Sequence, residues 1–379
     1  MDPYLRDVLD VCLRLLHVVA GIAWIGASFY FIRLDLGLRP PRDPGPGVTG
    51  EYWGVHGGGF YHSQKHTLPP ELMPEPLHWF KWEAYTTWLS GFALLVVLYY
   101  SDAGARLIDP SVAGLEPWQA VAISAGGLLL GWLVYDVLCR LVRDDRLLAV
   151  GVAALVVGSA FAASQLFAPR ASYLQVGAML GTIMAANVFR VIIPAHRELI
   201  RAKEEGRPPD PAPGLEAKRR SVHNNYLTLP VVFAMLAGHF PLTYGSGHAW
   251  LVLIGVMALL AFLRHFFNLW HRGVRAWWIP ALVAVGVVAL ALALRPDDDA
   301  SGAPAATDAE IGAIVQGRCA RCHSGITAPL GIRLGTAADV RARADLVATM
   351  VRTRAMPPGN ATGMTDRERE ALLAWLASR

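Results

Sequence analysis

The sequence predicts an all-α fold, in which an eight-helix transmembrane bundle is followed by a small helical domain. The chain of 379 residues is 54% hydrophobic and its mean hydropathy is +0.36, which is high for a soluble protein. Apolar runs long enough to span a bilayer, about twenty residues, recur over the first three quarters of the chain. They lie near residues 8–32, 77–100, 117–140, 147–168, 172–194, 223–240, 248–270 and 276–294.

The distribution of Lys and Arg predicts the orientation of these spans. About sixteen of them lie in the loops after the first, third, fifth and seventh spans, against about three in the N-terminal tail and the even-numbered loops. Loops that carry such an excess remain in the cytoplasm. We therefore expect both termini on the outer side of the membrane.

Composition also predicts the domain boundaries. The stretch "RPDDDASGAPAATD" follows the last span and contains little that could be buried, so we interpret it as a flexible tether. The predicted domains are a membrane domain over residues 1–296, a linker over 297–305 and a C-terminal domain over 306–379.

The C-terminal domain contains the motif "GRCARCHS". Cys319 and Cys322 have the spacing at which two thiols attach a c-type haem, and His323 follows as the proximal iron ligand. A redox dithiol would require a βαβ context and a zinc site would require a second ligand pair. The sequence offers neither, so covalent haem c is the prediction.

A haem c also needs a distal ligand, and "TRAMPPGNATGM" offers Met356 in a loop stiffened by two prolines. Met364 and Met350 are the alternatives. The closing helix is predicted to begin with Thr365 as N-cap and Glu368 at the capping-box position. With these elements the region resembles a small class I cytochrome c, whose haem is attached outside the cytoplasm, in agreement with the predicted orientation.

Ionisable and amide side chains within the spans are candidates for function, because they are costly in a bilayer. His17 could make a structural hydrogen bond, or it could be a haem b ligand or a catalytic base. Glu83 opens the second span, and a further group lies near the predicted cytoplasmic ends of spans five, six and seven: Asn187, Arg190, His223, Asn224, Asn225, Tyr226, Arg264, His265 and Asn268. Together they predict a pocket for a flat, anionic, hydrogen-bonding substrate, although Arg190 and Arg264 could instead snorkel to the interface.

Five strings carry a family resemblance: "LHVVAGIAWIGASFYFIRLD", "LHWFKWEAYTTW", "NVFRVIIPAHRE", "RSVHNNYLTLPVVFAMLAGHFP" and the tail "RCARCHS…MPPGNATGMTDRE". Together they resemble the bacterial membrane-bound urate hydroxylases, in which an eight-span domain carries a C-terminal cytochrome c. The resemblance implies conversion of urate and water to 5-hydroxyisourate, with two electrons passed to haem c and no peroxide formed.

The same resemblance implies location and partners. We expect an inner-membrane protein surrounded by lipid, with both termini and the cytochrome domain in the periplasm. Its acceptor would be a respiratory-chain component such as a cytochrome c oxidase or a soluble cytochrome c, and we expect no nucleic-acid partner.

For the reaction itself, the predicted catalytic residues are Glu83 and His223 as proton acceptors, with Arg190 and Asn224 holding the substrate. The hydrocarbon core is about 30 Å thick, so a cytoplasmic-side pocket lies far from a periplasmic haem. A haem b held by His17, with a second ligand such as His239, would bridge that distance. The alternative function is a generic membrane quinol-to-cytochrome c oxidoreductase with intramembrane haem b.

Overall fold

The computed structural model describes residues 2–43, 45–70, 73, 75–246, 248–295, 306–325 and 328–378. The chain divides into two compact units. The first consists of Met1–Val97, Ala178–Val232 and Met257–Gly286, and the second of Leu98–Gly177, Phe233–Val256 and Val287–Arg379. The predicted linker 297–305 lies outside the described residues, so the predicted domain boundaries stay a prediction.

The structure is mostly helical, and each predicted span coincides with a helix. The first half contains α1 (Pro3–Gly37), β1 (Val48–His56), β2 (Gly59–His66), α2 (Trp82–Leu98), α3 (Ala103–Arg106), α4 (Pro117–Leu141) and α5 (Asp145–Leu166). The next elements are α6 (Pro169–Asn187), α7 (Ile193–Glu204), α8 (Ala212–Leu236), α9 (Pro241–Tyr244), α10 (Ala249–His271) and α11 (Trp278–Ala293).

Within the described part of the chain, six helical segments are long and apolar enough to cross a membrane. They are Tyr4–Gly37, Trp82–Arg106, Pro117–Leu141, Asp145–Leu166, Pro169–Glu204 and Ala249–His271. The other two predicted spans correspond to α8, which carries several polar side chains and Pro230, and to α11, which has 16 residues. The helices are thus compatible with a membrane protein, and the count of eight spans stays a prediction.

The expectation of an all-α fold is wrong in the loop after α1, where β1 and β2 form an antiparallel hairpin. Gly57 and Gly58 connect the strands with φ of 57° and 82°. A two-residue turn with both φ angles positive matches the twist of a hairpin, and glycine adopts it without steric cost. The Gly57–Gly58 dipeptide is thus the local signal in the sequence for this hairpin.

The C-terminal region forms a helical module with its own apolar core. Its helices are α12 (Asp308–Ile314), α13 (Ala320–His323), α14 (Ala337–Arg341), α15 (Ala344–Arg352) and α16 (Asp366–Ala377). The core includes Ile311, Val315, Val340, Leu372 and Trp375. The predicted start of α16 is confirmed, because the Thr365 hydroxyl accepts from the Glu368 N–H while the Glu368 carboxylate accepts from the Thr365 N–H.

The loop after Met356 packs closely against backbone of the same unit. A Cβ at Gly359 would lie 2.8 Å from the carbonyl oxygen of Ala105 and 2.7 Å from that of Ile108. Gly359 also has φ of 54°. Only glycine fits this position, since both the close approach and the positive φ exclude a side chain.

Candidate functional site

Polar side chains of α6 and α8 form a buried amide network. The Asn187 amide donates to the Asn224 Oδ1 at 2.9 Å, and the Asn224 amide donates to the Met184 carbonyl at 3.0 Å. Arg220, which is 2% exposed, donates to the Asn187 Oδ1 at 3.1 Å and pairs with Glu216 at 2.7 Å. The structure thus brings Asn187 and Asn224 together, as predicted for spans five and six, and commits both amides to contacts within the protein.

A second set of polar contacts joins α8 to α10. The Arg264 Nε donates to the Asn225 Oδ1 at 2.5 Å, and the Asn225 amide donates to the Asn268 Oδ1 at 3.1 Å. Tyr226 and His265 are hydrogen-bonded, with the phenol oxygen 2.7 Å from the Nδ1. Because all these contacts join residues distant in sequence, they fix the rotation of α8 and α10 about their axes.

Arg264 does not snorkel: it is 4% exposed, and its guanidinium carbon lies 3.9 Å from the centre of the Phe29 ring. Its Nη2 is buried and has no hydrogen-bond partner among the described residues. A buried donor without a partner is costly, about 1–3 kcal/mol, and is uncommon in a folded protein. The Arg264 Nη2 is therefore a candidate hydrogen-bond donor to a bound ligand.

Arg264 is one of the residues that line a cavity of about 360 Å³, here called the inner cavity. Its volume lies within the range of small-molecule sites, about 300–1,000 Å³. The cavity is lined by Phe29, Tyr30, Arg33, Leu229, Arg264, Phe267 and His271. It therefore combines aromatic surfaces with two guanidinium groups and one imidazole.

Among the lining residues only Arg264 was singled out from the sequence, and Phe29, Arg33 and His271 were not. A signal existed, because Phe29 and Arg33 are four residues apart on α1, and Arg264 and His271 are seven apart on α10. Such spacings place each pair on one helical face. The same spacing is common on faces that serve only packing, so it does not by itself distinguish a site.

Glu83 lies in the first turn of α2, where a negative charge interacts favourably with the helix dipole. Its Oε2 is buried without a hydrogen-bond partner among the described residues. The adjacent Ala84 belongs to an apolar cluster with Val188 and Ile193. Glu83 is not among the residues that line the inner cavity.

Arg190 and His223 occupy less enclosed positions. Arg190 is exposed and lies in a π-helical turn, Val188–Ile192. This turn precedes Pro194, which has no N–H to donate to the Arg190 carbonyl and so disturbs the helical ladder. His223 is half-buried and directly precedes Asn224. Neither residue lines the inner cavity, and their catalytic roles stay predictions.

His17 connects α1 to α2. Its Nδ1 lies 2.9 Å from the Thr87 carbonyl oxygen and 3.2 Å from the Ser90 hydroxyl. A Cβ at Gly91 would lie 2.7 Å from the imidazole Cε1, so the ring occupies space that only a glycine leaves. These contacts supply the structural hydrogen bond that was one of the alternatives for His17. Its proposed haem b partner, His239, lies in the 3-10 turn Ala237–His239 of the other unit.

The CxxCH segment forms the end of a π-helical turn, Val315–Cys319, followed by α13. Both of its cysteines are free thiols, and burial raises the pKa of Cys319. The His323 Nδ1 donates to the Ile332 carbonyl at 2.8 Å. This bond fixes the ring orientation and leaves the Nε2 available as a ligand, the arrangement typical of metal-bound histidines.

Of the three candidate distal ligands, Met356 and Met364 differ clearly in burial. Met364 is 3% exposed and belongs to the apolar core of the module, whereas Met356 is 38% exposed. Arg369 holds the Met356 loop by donating to the Met356 carbonyl at 2.8 Å and to the Asn360 Oδ1 at 3.1 Å. Burial lowers the pKa of Arg369. Met356 is therefore the more accessible thioether, in a loop that a buried guanidinium fixes.

Residues 3–295 match the model of the family described as urate oxidase N-terminal. The chain belongs to this family. Comparisons with curated proteins and with solved structures gave no match. Membership indicates a urate-related oxidative function, and the inner cavity lies within the matched residues. The CxxCH module lies beyond the match, so its interpretation depends on its own motif and geometry.

Proposed function

We propose that this member of the urate oxidase N-terminal family is a membrane-bound urate hydroxylase that converts urate and water to 5-hydroxyisourate. The observation that carries the proposal is Arg264, which is one of the residues that line the inner cavity and whose buried Nη2 has no partner among the described residues. Its Nε is already held by Asn225 at 2.5 Å. This hydrogen bond fixes the orientation of the guanidinium, and so of its remaining N–H donors, before any substrate binds.

The inner cavity matches the chemistry of urate. Urate is a planar anion at neutral pH, with amide carbonyls around its edge. Phe29 offers an aromatic face, while Arg264 and Arg33 supply positive charge and donors arranged in a planar fork. Two arginines among the residues that line one largely apolar space favour a ligand that is both flat and negatively charged.

The reaction forms a C–O bond between water and C5 of the purine, and it releases two electrons and two protons. The site must therefore contain a proton acceptor. His271 lines the inner cavity and is the acceptor that we propose. Glu83, with its unpartnered Oε2, and His223 are the acceptors predicted from the sequence, and Arg190 and Asn224 the predicted substrate-holding residues.

The C-terminal module fits a covalently bound haem. Cys319 and Cys322 would attach it, the Nε2 of His323 would bind the iron, and Met356 would be the distal ligand. When bound, a haem c supplies a one-electron acceptor whose potential a thioether ligand raises. Electrons would then leave for a cytochrome c oxidase or a soluble cytochrome c, and a haem b with His17 as a ligand is the relay predicted from the sequence.

We further propose that the helices cross the bacterial inner membrane with both termini and the module in the periplasm. A reporter that is active only outside the cytoplasm should work when it is fused after Ala300 and fail when it is inserted at Asp210, because the loop after α7 is rich in positive charge. Reporter activity is measured in intact cells, and equal amounts of the two fusion proteins are the control for expression. Activity at Asp210 alone would contradict the orientation and the site of haem attachment.

The proposed function is tested by an absorption spectrum of the purified full-length protein under anaerobic conditions. Urate should reduce the c-type haem and yield 5-hydroxyisourate, detected by its ultraviolet absorbance, without oxygen consumption or peroxide. Dithionite gives the full extent of reduction as a control. If a quinol reduces the haem and urate does not, the chain is the quinol-to-cytochrome c oxidoreductase that we considered as the alternative.

A further inference from the structure

A second cavity, of about 420 Å³, adjoins the inner one and is here called the outer cavity. It is bounded by the C-terminal end of α1, the segment that follows, the hairpin and the end of α10. Arg33 and His271 line both cavities. These two side chains therefore lie at the boundary between the two spaces.

The outer cavity has an excess of positive charge. Arg33, Arg39 and Arg42 contribute three guanidinium groups, and Glu51 contributes the one carboxylate among its lining residues. That carboxylate is already bound, by the His62 Nε2 at 3.0 Å and by the backbone N–H of Arg42 at 3.3 Å. Within the described part of the chain, the three guanidinium groups have no ion pair. Their charge is thus available to a mobile anion.

Several contacts fix the wall that the hairpin contributes. Arg39 and Glu51 exchange two backbone hydrogen bonds of 2.9 Å, and the Arg33 Nε donates to the Tyr52 hydroxyl at 3.2 Å. Asp35 pairs with Lys65, which lies opposite Gly50 in the hairpin, and at 3.2 Å with Lys218. Burial and the nearby Lys218 lower the pKa of Lys65. The open end of the hairpin is therefore held against the end of α1 and the segment that follows it.

We propose that the outer cavity collects the anionic substrate and delivers it past Arg33 and His271 to the inner cavity. This inference rests on the proposed function, because it assigns the access route of the same substrate. Positive charge within low-dielectric walls raises the local concentration of an anion and its rate of association. The role of Arg39 and Arg42 is then to raise kcat/KM, while the chemistry depends on the inner cavity.

The test compares double variants of the full-length protein in anaerobic urate-dependent haem reduction. Arg39→Gln combined with Arg42→Gln should lower kcat/KM for urate by about tenfold at low ionic strength and leave kcat unchanged. The difference from the unaltered protein should shrink as salt is added, because salt screens the interaction. Arg39→Lys combined with Arg42→Lys keeps the charge and should keep kcat/KM.

Arg146→Gln is the matched control, since Arg146 is an exposed arginine that does not line the cavity. It should change neither kcat/KM nor its salt dependence. Equal kcat/KM in the Gln double variant and the unaltered protein would overturn the access route and leave the proposed function intact. A loss of kcat that does not change with salt would also overturn the access route. So would a change in kcat/KM seen only in vesicles that contain anionic lipid, because the cavity would then bind a lipid headgroup. Failure of urate to reduce the unaltered protein overturns both proposals.

Discussion

Replacement of Arg264 with glutamine should lower kcat/KM for urate by roughly a hundredfold, corresponding to about 3 kcal/mol. The guanidinium is 4% exposed, its Nη2 has no partner among the described residues and its carbon lies 3.9 Å from the Phe29 ring centre. Glutamine removes both the charge and the fork of donors from this buried position. Arg264→Lys keeps the charge alone and should lower kcat/KM by roughly tenfold.

The measurement is the rate of haem reduction by urate in the absence of oxygen, with haem content and dithionite reduction as controls for folding. Arg190→Gln is the informative comparison, because Arg190 is exposed and was the arginine predicted from the sequence to hold the substrate. A large loss at Arg190 together with wild-type kinetics for Arg264→Gln would exclude the inner cavity as the urate site.

The same assay distinguishes the candidate proton acceptors. His271→Gln should lower kcat more than Glu83→Gln or His223→Gln, because only His271 among the three lines the inner cavity. If Glu83→Gln or His223→Gln alone abolishes turnover, the acceptor predicted from the sequence is the correct one.

Replacement of Cys319 or Cys322 with alanine should abolish or severely reduce covalently bound haem, since each removes one of the two thioether bonds. Met356→Ala should leave the haem attached and lower its reduction potential. Axial ligands tune haem potentials over a range of about 0.8 V, so the change should be readily measured. The measurements are haem staining of a denaturing gel and a redox titration of the purified protein.

Met364→Leu is the control for the distal ligand, because Met364 is 3% exposed within the apolar core and leucine preserves its volume. It should leave the potential unchanged. A lowered potential in Met364→Leu, with an unchanged one in Met356→Ala, would make Met364 the ligand.

Local sequence signals determined much of the helical structure. Each long apolar run became a helix, since a backbone in lipid must satisfy its own hydrogen bonds. The Thr365 and Glu368 pair fixed the start of α16 through a capping box three residues wide. The spacing of Cys319, Cys322 and His323 defined the candidate haem site, because that chemistry depends on neighbours in the chain. The Gly57–Gly58 turn was equally local, although it was not interpreted as a hairpin.

Only the tertiary structure decided which polar side chains face one another. Arg190 and Arg264 are both arginines near the ends of apolar helices, and nothing in the sequence distinguishes which of them is buried. A helix that is apolar on all sides has no polar face to show which side points inward. Arg264 contacts Asn225 and the ring of Phe29, and both of these residues are more than thirty positions away in the sequence. The location of the inner cavity therefore follows from helix rotation and packing, which no short stretch of the sequence encodes.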